Sequence, residues 1–327
     1  MASSSKRSQY FDNAKFILIF LVVFGHVISP LKGKDNLLST LYTFIFLFHM
    51  PAFILISGYF AKGFRKKGYV RKAFKKILIP YVIFQVIYSL FYFWNGQSTA
   101  VKIDLFHPHW TLWFLLSLFC WNLLLYVFAR LGWIGFFIAV ALGIGIGYVD
   151  NIGSFLSLSR TFVFFPYFLL GFLLQREQLT KIIRNKIAFP IGILIMIVTI
   201  IISASLPEVS LTWMFGDTSY AGMGKEEIID GLIRVCQYAG TLIVIFGFLA
   251  LIPSNQYKVT VIGQRTLYVY LFHGFIIKTV DTIVPEKFLS FVSTHYLLLI
   301  CFSLAICIFL GSYLIKKYTS PIVELRL

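Results

Sequence analysis

Charge is scarce in this sequence, and negative charge is scarcer still. Asp, Glu, Lys and Arg together make up 13% of its 327 residues, with 13 acidic groups against 29 basic ones. A soluble domain of this length carries about 25% charged residues, so this balance excludes an ordinary water-soluble fold. Cysteine is sparse too: Cys120, Cys236, Cys301 and Cys307 all fall in apolar segments without C-x-x-C spacing. The six-residue step from Cys301 to Cys307 puts those two on different helix faces. Neither a disulfide framework nor a zinc or other metal site is expected. The long apolar runs lack period-two alternation, which excludes a lipid-facing β-barrel wall. No small-residue cleavage site follows the first apolar segment, so that helix is expected to stay in the protein. No internal repeat, low-complexity tract or soluble domain interrupts the chain, and one membrane domain over residues 1–327 is expected.

What the sequence does have is apolar length. Hydrophobic residues make up 59% and aromatic residues 18%, with a mean hydropathy of +0.84. A helix needs about 20 apolar residues to cross a bilayer. Ten segments approach that length: 11–30, 38–61, 77–94, 110–129, 131–149, 161–175, 187–206, 232–252, 264–283 and 293–315. The sixth is short, with Pro166 inside it and Gly171 near its end, and is expected to tilt, break or lie buried among the other helices. The fold class is therefore all-α, a polytopic membrane helical bundle of about ten transmembrane helices.

The net charge of +16 would suggest nucleic acid as a partner of a soluble chain. Here the basic residues sit in short patches between apolar runs, where membrane topology and lipid phosphates account for them, so no nucleic-acid partner is expected. Alternate connections hold Lys6 and Arg7, eight basic residues between 62 and 76, Arg130, four between 176 and 186, Lys258 and Arg265, then Lys316, Lys317 and Arg326. The other connections hold far fewer. By the positive-inside rule both termini are cytoplasmic, in keeping with an even number of spans. The longest connection, 207–231, is then outside and mildly acidic through Glu208, Asp217, Glu226, Glu227 and Asp230.

An ionisable side chain at mid-bilayer costs about 2.5–3.5 kcal/mol on insertion scales, so each one in a span invites a functional reading. In YFDNAKFILIFLVVFGHVI, eleven residues separate Lys15 from His26. That is about three turns and about 16 Å of rise, which returns the side chain to nearly the same face. Asp12 lies on the same stripe. The first helix thus presents a carboxylate and an ammonium near its cytoplasmic end and an imidazole toward its outer half. Two readings stand side by side: Asp12 and Lys15 pair at the interface and His26 hydrogen-bonds a neighbouring helix, or the stripe lines a functional path.

The second span contains FLFHMPAFILISGYF. His49 lies near its middle, and Pro51 frees the carbonyl four residues earlier, which is expected to kink the helix and expose backbone polarity beside His49. Ser57 and Gly58 are read as packing residues that let helices approach. In DLFHPHWTLWFLLSLF, His107 and His109 flank a proline in an outside loop, weak grounds for a metal. Trp110 and Trp113 suit an aromatic belt and equally suit stacking on a sugar ring. His273, in GQRTLYVYLFHGF, is another imidazole well inside a span. In the inner loop AKGFRKKGYVRKAFKKILIPY, Arg71, Lys72, Lys75 and Lys76 follow three- and four-residue spacings. Topology and anionic lipid account for much of that charge, and a phosphorylated cytosolic ligand would also suit it.

These stretches, in this order, resemble the acyltransferase-3 family of integral membrane acyltransferases, particularly its fucose 4-O-acetylase-like branch, over nearly the whole chain. The resemblance rests on the basic-X10-His pattern from Lys15 to His26, on FHMPAFILISGYF, on RKAFKKILIPY before its proline, on HWTLWFL and on YVYLFHGF. Two departures stand out. Lys15 replaces the arginine of many members, and the cytoplasmic motif is mostly lysine, which keeps charge but loses bidentate phosphate geometry.

The resemblance implies transfer of an acyl group, usually acetyl, from cytosolic acyl-CoA as donor substrate to a hydroxyl of a cell-surface or lipid-linked saccharide, with no permanently bound cofactor. It implies a multi-pass protein of the bacterial cytoplasmic membrane, in contact with lipid and with glycan-synthesis machinery as a possible partner. On this reading His26 is general base or acyl relay, and Lys15 paired with Asp12 orients the donor or stabilises developing negative charge. His49 shapes the site, and Arg71, Lys72, Lys75 and Lys76 hold the CoA phosphates. Trp110, Trp113, His109 and His273 meet the sugar. Some members append an extracytoplasmic esterase-like domain; this chain ends about a dozen residues after its last expected span, so the acyl group is expected to reach its acceptor directly or through a separate protein. The alternatives are a polysaccharide or glycolipid transporter, whose path would also be lined by buried histidines, and a structural subunit of a glycan-synthesis complex.

Overall fold

A computed structural model describes residues 8–150, 152–206, 209–225 and 227–325. Lys6, Arg7, Arg326, Glu208 and Glu226, which entered the topology argument, lie outside the described residues. The chain forms α1 (Gln9–Ile28), α2 (Asn36–Phe60), α3 (Tyr69–Ala73), α4 (Ile79–Trp94), α5 (Trp113–Gly145), α6 (Leu158–Leu173), α7 (Arg176–Ile183) and α8 (Ala188–Ser205). It continues as α9 (Val209–Phe215), α10 (Gly231–Leu251), α11 (Thr260–Gly263), α12 (Thr266–Ile283), α13 (Glu286–Ser293), α14 (Tyr296–Leu310) and α15 (Tyr313–Val323). No β-strand occurs among the described residues. A π-helical turn over Phe74–Leu78 joins α3 to α4 and carries Lys75 and Lys76.

Among the described residues, seven helical stretches are long and apolar enough to cross a membrane, or up to nine if each of two bent pairs is one span. The bent pairs are α12 with α13, at 116°, and α14 with α15, at 61°. Ten spans were expected, and α5 accounts for part of the difference, because the expected segments 110–129 and 131–149 merge into this one hydrogen-bonded stretch. At Gly132 its backbone leaves the helical region, with φ 56° and ψ −128°. Ser117 Oγ lies 2.8 Å from Thr161 Oγ1, while a Cβ built on Gly143 would stand 3.0 Å from the carbonyl oxygen of Phe162. A straight helix would hold Ser117 and Gly143 about 39 Å apart. Because both meet adjacent residues of α6, α5 doubles back at Gly132 as a helical hairpin.

The bundle is centred on α1, α2 and α6, whose apolar windows are more than half buried, whereas α8 and the half of α5 that follows Gly132 are mostly exposed and form its rim. Glycine sets the closest approaches. A Cβ on Gly58 would overlap the carbonyl oxygen of Phe168, and one on Gly171 would overlap that of Leu55, so α2 and α6 cross backbone to backbone. This is the packing role read for Gly58. α6 runs unbroken through Pro166 and is buried, one of the three outcomes expected for it. Pro51 also lies inside a continuous helix, α2. The carbonyl it frees, that of Leu47, accepts a hydrogen bond from Thr241 Oγ1 of α10 at 3.3 Å.

Candidate active site

α1 carries its polar stripe between two cavities. At the far end, His26 lines a cavity of about 260 Å³ together with His49, Trp110, Trp113, Arg160 and Tyr270. At the near end, Asp12 and Lys15 line a second cavity of about 1070 Å³ with Tyr59, Phe60, Arg176 and Arg184. Ile19 and Val22 lie on the same face between them, both buried. The expected stripe therefore exists, and apolar side chains interrupt it between its charged and imidazole ends.

Three imidazoles gather around the smaller cavity. The ring centroid of His26 is 4.4 Å from that of Trp110 and 5.5 Å from that of His273. His49 enters from α2, buried, with Nδ1 2.7 Å from the carbonyl of Ile45 one turn back. His273 does the same on α12, with Nδ1 2.7 Å from the Tyr270 carbonyl and 3.0 Å from that of Val269. A ring nitrogen facing a carbonyl must donate, so both rings, when neutral, carry their proton on Nδ1 and leave Nε2 as an acceptor. His273 Nε2 is buried without a hydrogen-bond partner among the described residues.

The loop between α4 and α5 supplies the indole. Trp110 has a left-handed backbone, φ 29°, which a bulky residue adopts only under constraint. The constraint comes from α4. Gln85, fully buried, donates through Nε2 to the carbonyls of Asp104 at 2.6 Å and His107 at 2.9 Å, and its Oε1 accepts from the His109 amide at 2.9 Å. Tyr81 donates to the Leu105 carbonyl at 2.7 Å. His109 faces Ser89 rather than the cavity, with Nε2 2.8 Å from the hydroxyl. Burial holds the His109 pKa below its usual value, partly offset by the Asp104 carboxylate. His107 pairs with Asp104 at 2.7 Å in the exposed part of the loop. The hydrogen bond from the Phe106 amide, and then that from His107, hold the Asp104 carboxyl below its usual range.

At the other end, Lys15 Nζ lies 2.7 Å from Asp12, which is buried. Arg176, the first residue of α7, and Arg184, just past its end, face the same cavity, so three cations border it among the described residues. Arg71, Lys72, Lys75 and Lys76 are exposed along α3 and the π turn, and none of them lines this cavity.

A family model describing an acyltransferase domain, of the acyltransferase-3 type, matches residues 8–312. The chain belongs to the acyltransferase-3 family. It is 30% identical over 203 residues to the nodulation protein NolL of Sinorhizobium fredii, covering 57% of this chain and 54% of that one. It is 29% identical over 188 residues to the nodulation protein NolL of Mesorhizobium japonicum, covering 53% and 49%. The chain thus spans about half the length of the curated relatives it matches. No solved structure matches it. Together with its apolar helices, this makes the chain a multi-pass membrane protein of the acyltransferase-3 family.

Several polar residues that line these cavities, or adjoin residues that do, did not stand out in the sequence. Arg160 lines the imidazole cavity, ion-pairs with Asp217, donates through Nε to the Phe215 carbonyl at 3.2 Å and lies 5.1 Å from the Trp113 ring. In the sequence it reads as one of the few outside charges, directly before the expected span 161–175. Asn13, next to Asp12, is buried and donates to the carbonyls of Pro253 and Asn255 at 2.9 and 2.8 Å. A second polar residue beside Asp12 in an apolar helix was a signal available for it. Gln85 offered a similar one, as a lone amide in the apolar fourth helix.

Proposed function

We propose that this acyltransferase moves an acetyl group from acetyl-CoA, supplied from the cytosol, to a saccharide hydroxyl presented on the opposite side of a bacterial cytoplasmic membrane. The observation that carries this reading is the placement of Lys15 and His26 on one helix face, each lining its own cavity at opposite ends. The larger cavity, bordered by Lys15, Arg176 and Arg184, suits the anionic donor, and the exposed cluster Arg71, Lys72, Lys75 and Lys76, which lies outside that cavity, would add positive charge that attracts the CoA phosphates. The donor's acyl arm would reach past Ile19 and Val22 to His26.

At His26, the imidazole takes the proton of the sugar hydroxyl as its oxygen attacks the thioester carbonyl. A C–O bond forms, the C–S bond breaks, and the thiolate leaves and recovers the proton. In the relay variant, His26 nitrogen attacks first and the hydroxyl then displaces the acyl group from it. Lys15, held by Asp12, orients the donor, and Arg160 supplies positive charge beside the cavity where an oxyanion develops. Trp110 and Trp113 offer flat faces to the sugar ring. Glycan-synthesis machinery would supply that acceptor.

The test is transfer from labelled acetyl-CoA by the purified protein in detergent, with His26→Ala and Lys15→Ala alongside. Donor turnover that survives both substitutions unchanged sinks the assignment. Deleting the gene and reading O-acetyl groups on intact surface glycans by NMR checks the acceptor side: loss of acetyl from unaltered polymer supports the reading, and unchanged acetylation opposes it.

A further inference from the structure

A polar cavity of about 330 Å³ opens where α1 turns into α2, against the end of α8 and α9. That volume is near the low end of the range for small-molecule sites, about 300–1,000 Å³, and suits a single sugar ring. Among the described residues that line it, only Ala204, Leu206 and Leu211 are apolar. The hydroxyls of Ser39, Thr40 and Ser203 each donate to a carbonyl one turn back. Ser39 also accepts from the Gly33 amide, yet every one of these oxygens keeps a lone pair for a hydroxyl donor. Asn36 and Thr43 add an amide and a further hydroxyl.

Lys32 brings positive charge to the same wall. Among the described residues, three cations lie over aromatic rings of the imidazole cavity: Lys32 over Tyr42 at 5.0 Å, Arg160 over Trp113 at 5.1 Å and Lys278 over Trp110 at 4.8 Å. Arg160 is paired with Asp217 and Lys278 with Asp281. None of the ion pairs among the described residues involves Lys32. The carboxylate nearest to it in sequence, that of Asp35, is engaged by the Leu38 amide at 2.9 Å and the Tyr296 hydroxyl at 3.0 Å. Lys32 is exposed, so a ligand in the cavity can reach its ammonium directly.

Tyr42 joins this cavity to the one at His26, because it lines both. Its ring stacks on Phe46 at 4.1 Å, and Phe46 lies 6.0 Å from the His26 imidazole. A saccharide with one ring at His26 would therefore set its neighbouring ring against Tyr42 in the polar cavity, with a charged substituent of that ring at Lys32.

We infer that the polar cavity is a second acceptor subsite, selective for a sugar that carries a carboxylate, so that the acylated hydroxyl belongs to the ring next to an acidic one. This rests on the acyl-transfer reading above and adds to it a charge preference and the residue that sets it. A lipid phosphate would also satisfy Lys32. The hydroxyl and amide lining matches the donors and acceptors of a sugar, however, and offers little apolar wall to a lipid.

The experiment uses the full chain in phosphatidylcholine nanodiscs and titrates two probes, glucuronate and its neutral counterpart glucose, by saturation-transfer NMR. Glucuronate is expected to bind about threefold to fivefold more tightly, the size of effect that a partly exposed charge pair supplies. Lys32→Gln should erase that preference while leaving glucose binding unchanged, and Lys32→Arg should restore it. Lys34→Gln, at a neighbouring lysine that is paired with Glu286 at 3.3 Å, should leave the preference in place. Glycerol 1-phosphate, the soluble form of a lipid headgroup, should displace glucuronate only at a concentration at least threefold above that of glucuronate itself. Absence of glucuronate binding, equal affinity for the two sugars, or a preference that survives Lys32→Gln overturns the inference. Equal competition by glycerol 1-phosphate does so too, because the seat is then one for lipid phosphate. The assay needs no donor, so failure of the acyl-transfer reading would show separately, as charge-selective binding without acetyl transfer.

Discussion

Trp110 covers His26, with ring centroids 4.4 Å apart, and the same indole takes the ammonium of Lys278 at 4.8 Å. Gly274 makes room for it, since a Cβ there would stand 3.1 Å from the indole and overlap the Tyr88 hydroxyl. The indole is thus packed from several sides while its backbone sits at φ 29°. Holding a bulky residue there costs about 1–3 kcal/mol, which the Gln85 hydrogen bonds and this packing offset. A strained residue clamped against a candidate base is a positioning device. Trp110→Ala is expected to lower kcat/KM for the acceptor about 10²-fold with little loss of thermal stability, because relief of strain opposes the lost packing. Steady-state transfer and a thermal melt on the same preparation check both halves.

The two histidines nearest each other should separate by role. His26→Gln removes the proposed base and is expected to reduce transfer by about 10²–10⁴-fold with donor affinity unchanged. His273→Phe keeps a ring in the buried site and removes the unpartnered Nε2. A positioning role for His273 predicts a smaller fall and a shifted pH–rate profile, whereas a purely structural histidine would leave that profile in place.

The crossing of α2 and α6 yields a stability prediction. Gly58 and Gly171 each face a carbonyl oxygen of the other helix, and a methyl at either would overlap it. Neither obstacle is a flexible side chain, so backbone must move. Gly58→Ala and Gly171→Ala are each expected to cost about 1–3 kcal/mol or more, read as a lower thermal midpoint in detergent. Gly240→Ala, on an open face, serves as the unaffected control.

These contrasts show which parts of the fold the sequence carries on its surface. Apolar length announces the helices, and an eleven-residue step announces that Lys15 and His26 share a face, because both signals are local and periodic. Pro51 even announced the free carbonyl of Leu47, though not that Thr241 would find it from 194 residues away. The reversal at Gly132 was legible as the break at Arg130 between the expected segments 110–129 and 131–149, although its backbone hydrogen bonding runs on as one helical stretch. Arg160 and Gln85, by contrast, were hidden. Each acts on a partner far along the chain, and only the fold shows that α9 and the α4–α5 loop come to them. The cationic cavity around Lys15 follows the same rule: α7 brings Arg176 and Arg184 there, while the denser cluster at 71–76 lies apart.

The loop that carries Trp110 should respond to acid in a direction fixed by His109. Burial holds that imidazole's pKa below its usual value in the folded loop, so the folded loop binds its proton less readily than the open one. Stability of the loop is then full above the open-loop pKa, about 6.5, and declines as pH falls through that value toward the folded one. Hydrogen exchange over residues 104–112, corrected for intrinsic rates, is expected to be slow at pH 8 and faster at pH 5. His109→Asn removes the titration and should flatten this dependence. Gln85→Leu deletes three part-buried hydrogen bonds that tie the loop to α4, at about 0.5–1.5 kcal/mol each. It should therefore speed exchange at both pH values and raise KM for the acceptor. Exchange that is pH-independent in the unaltered protein, or unaffected by Gln85→Leu, would mean that something other than this buried amide and imidazole holds Trp110 over His26.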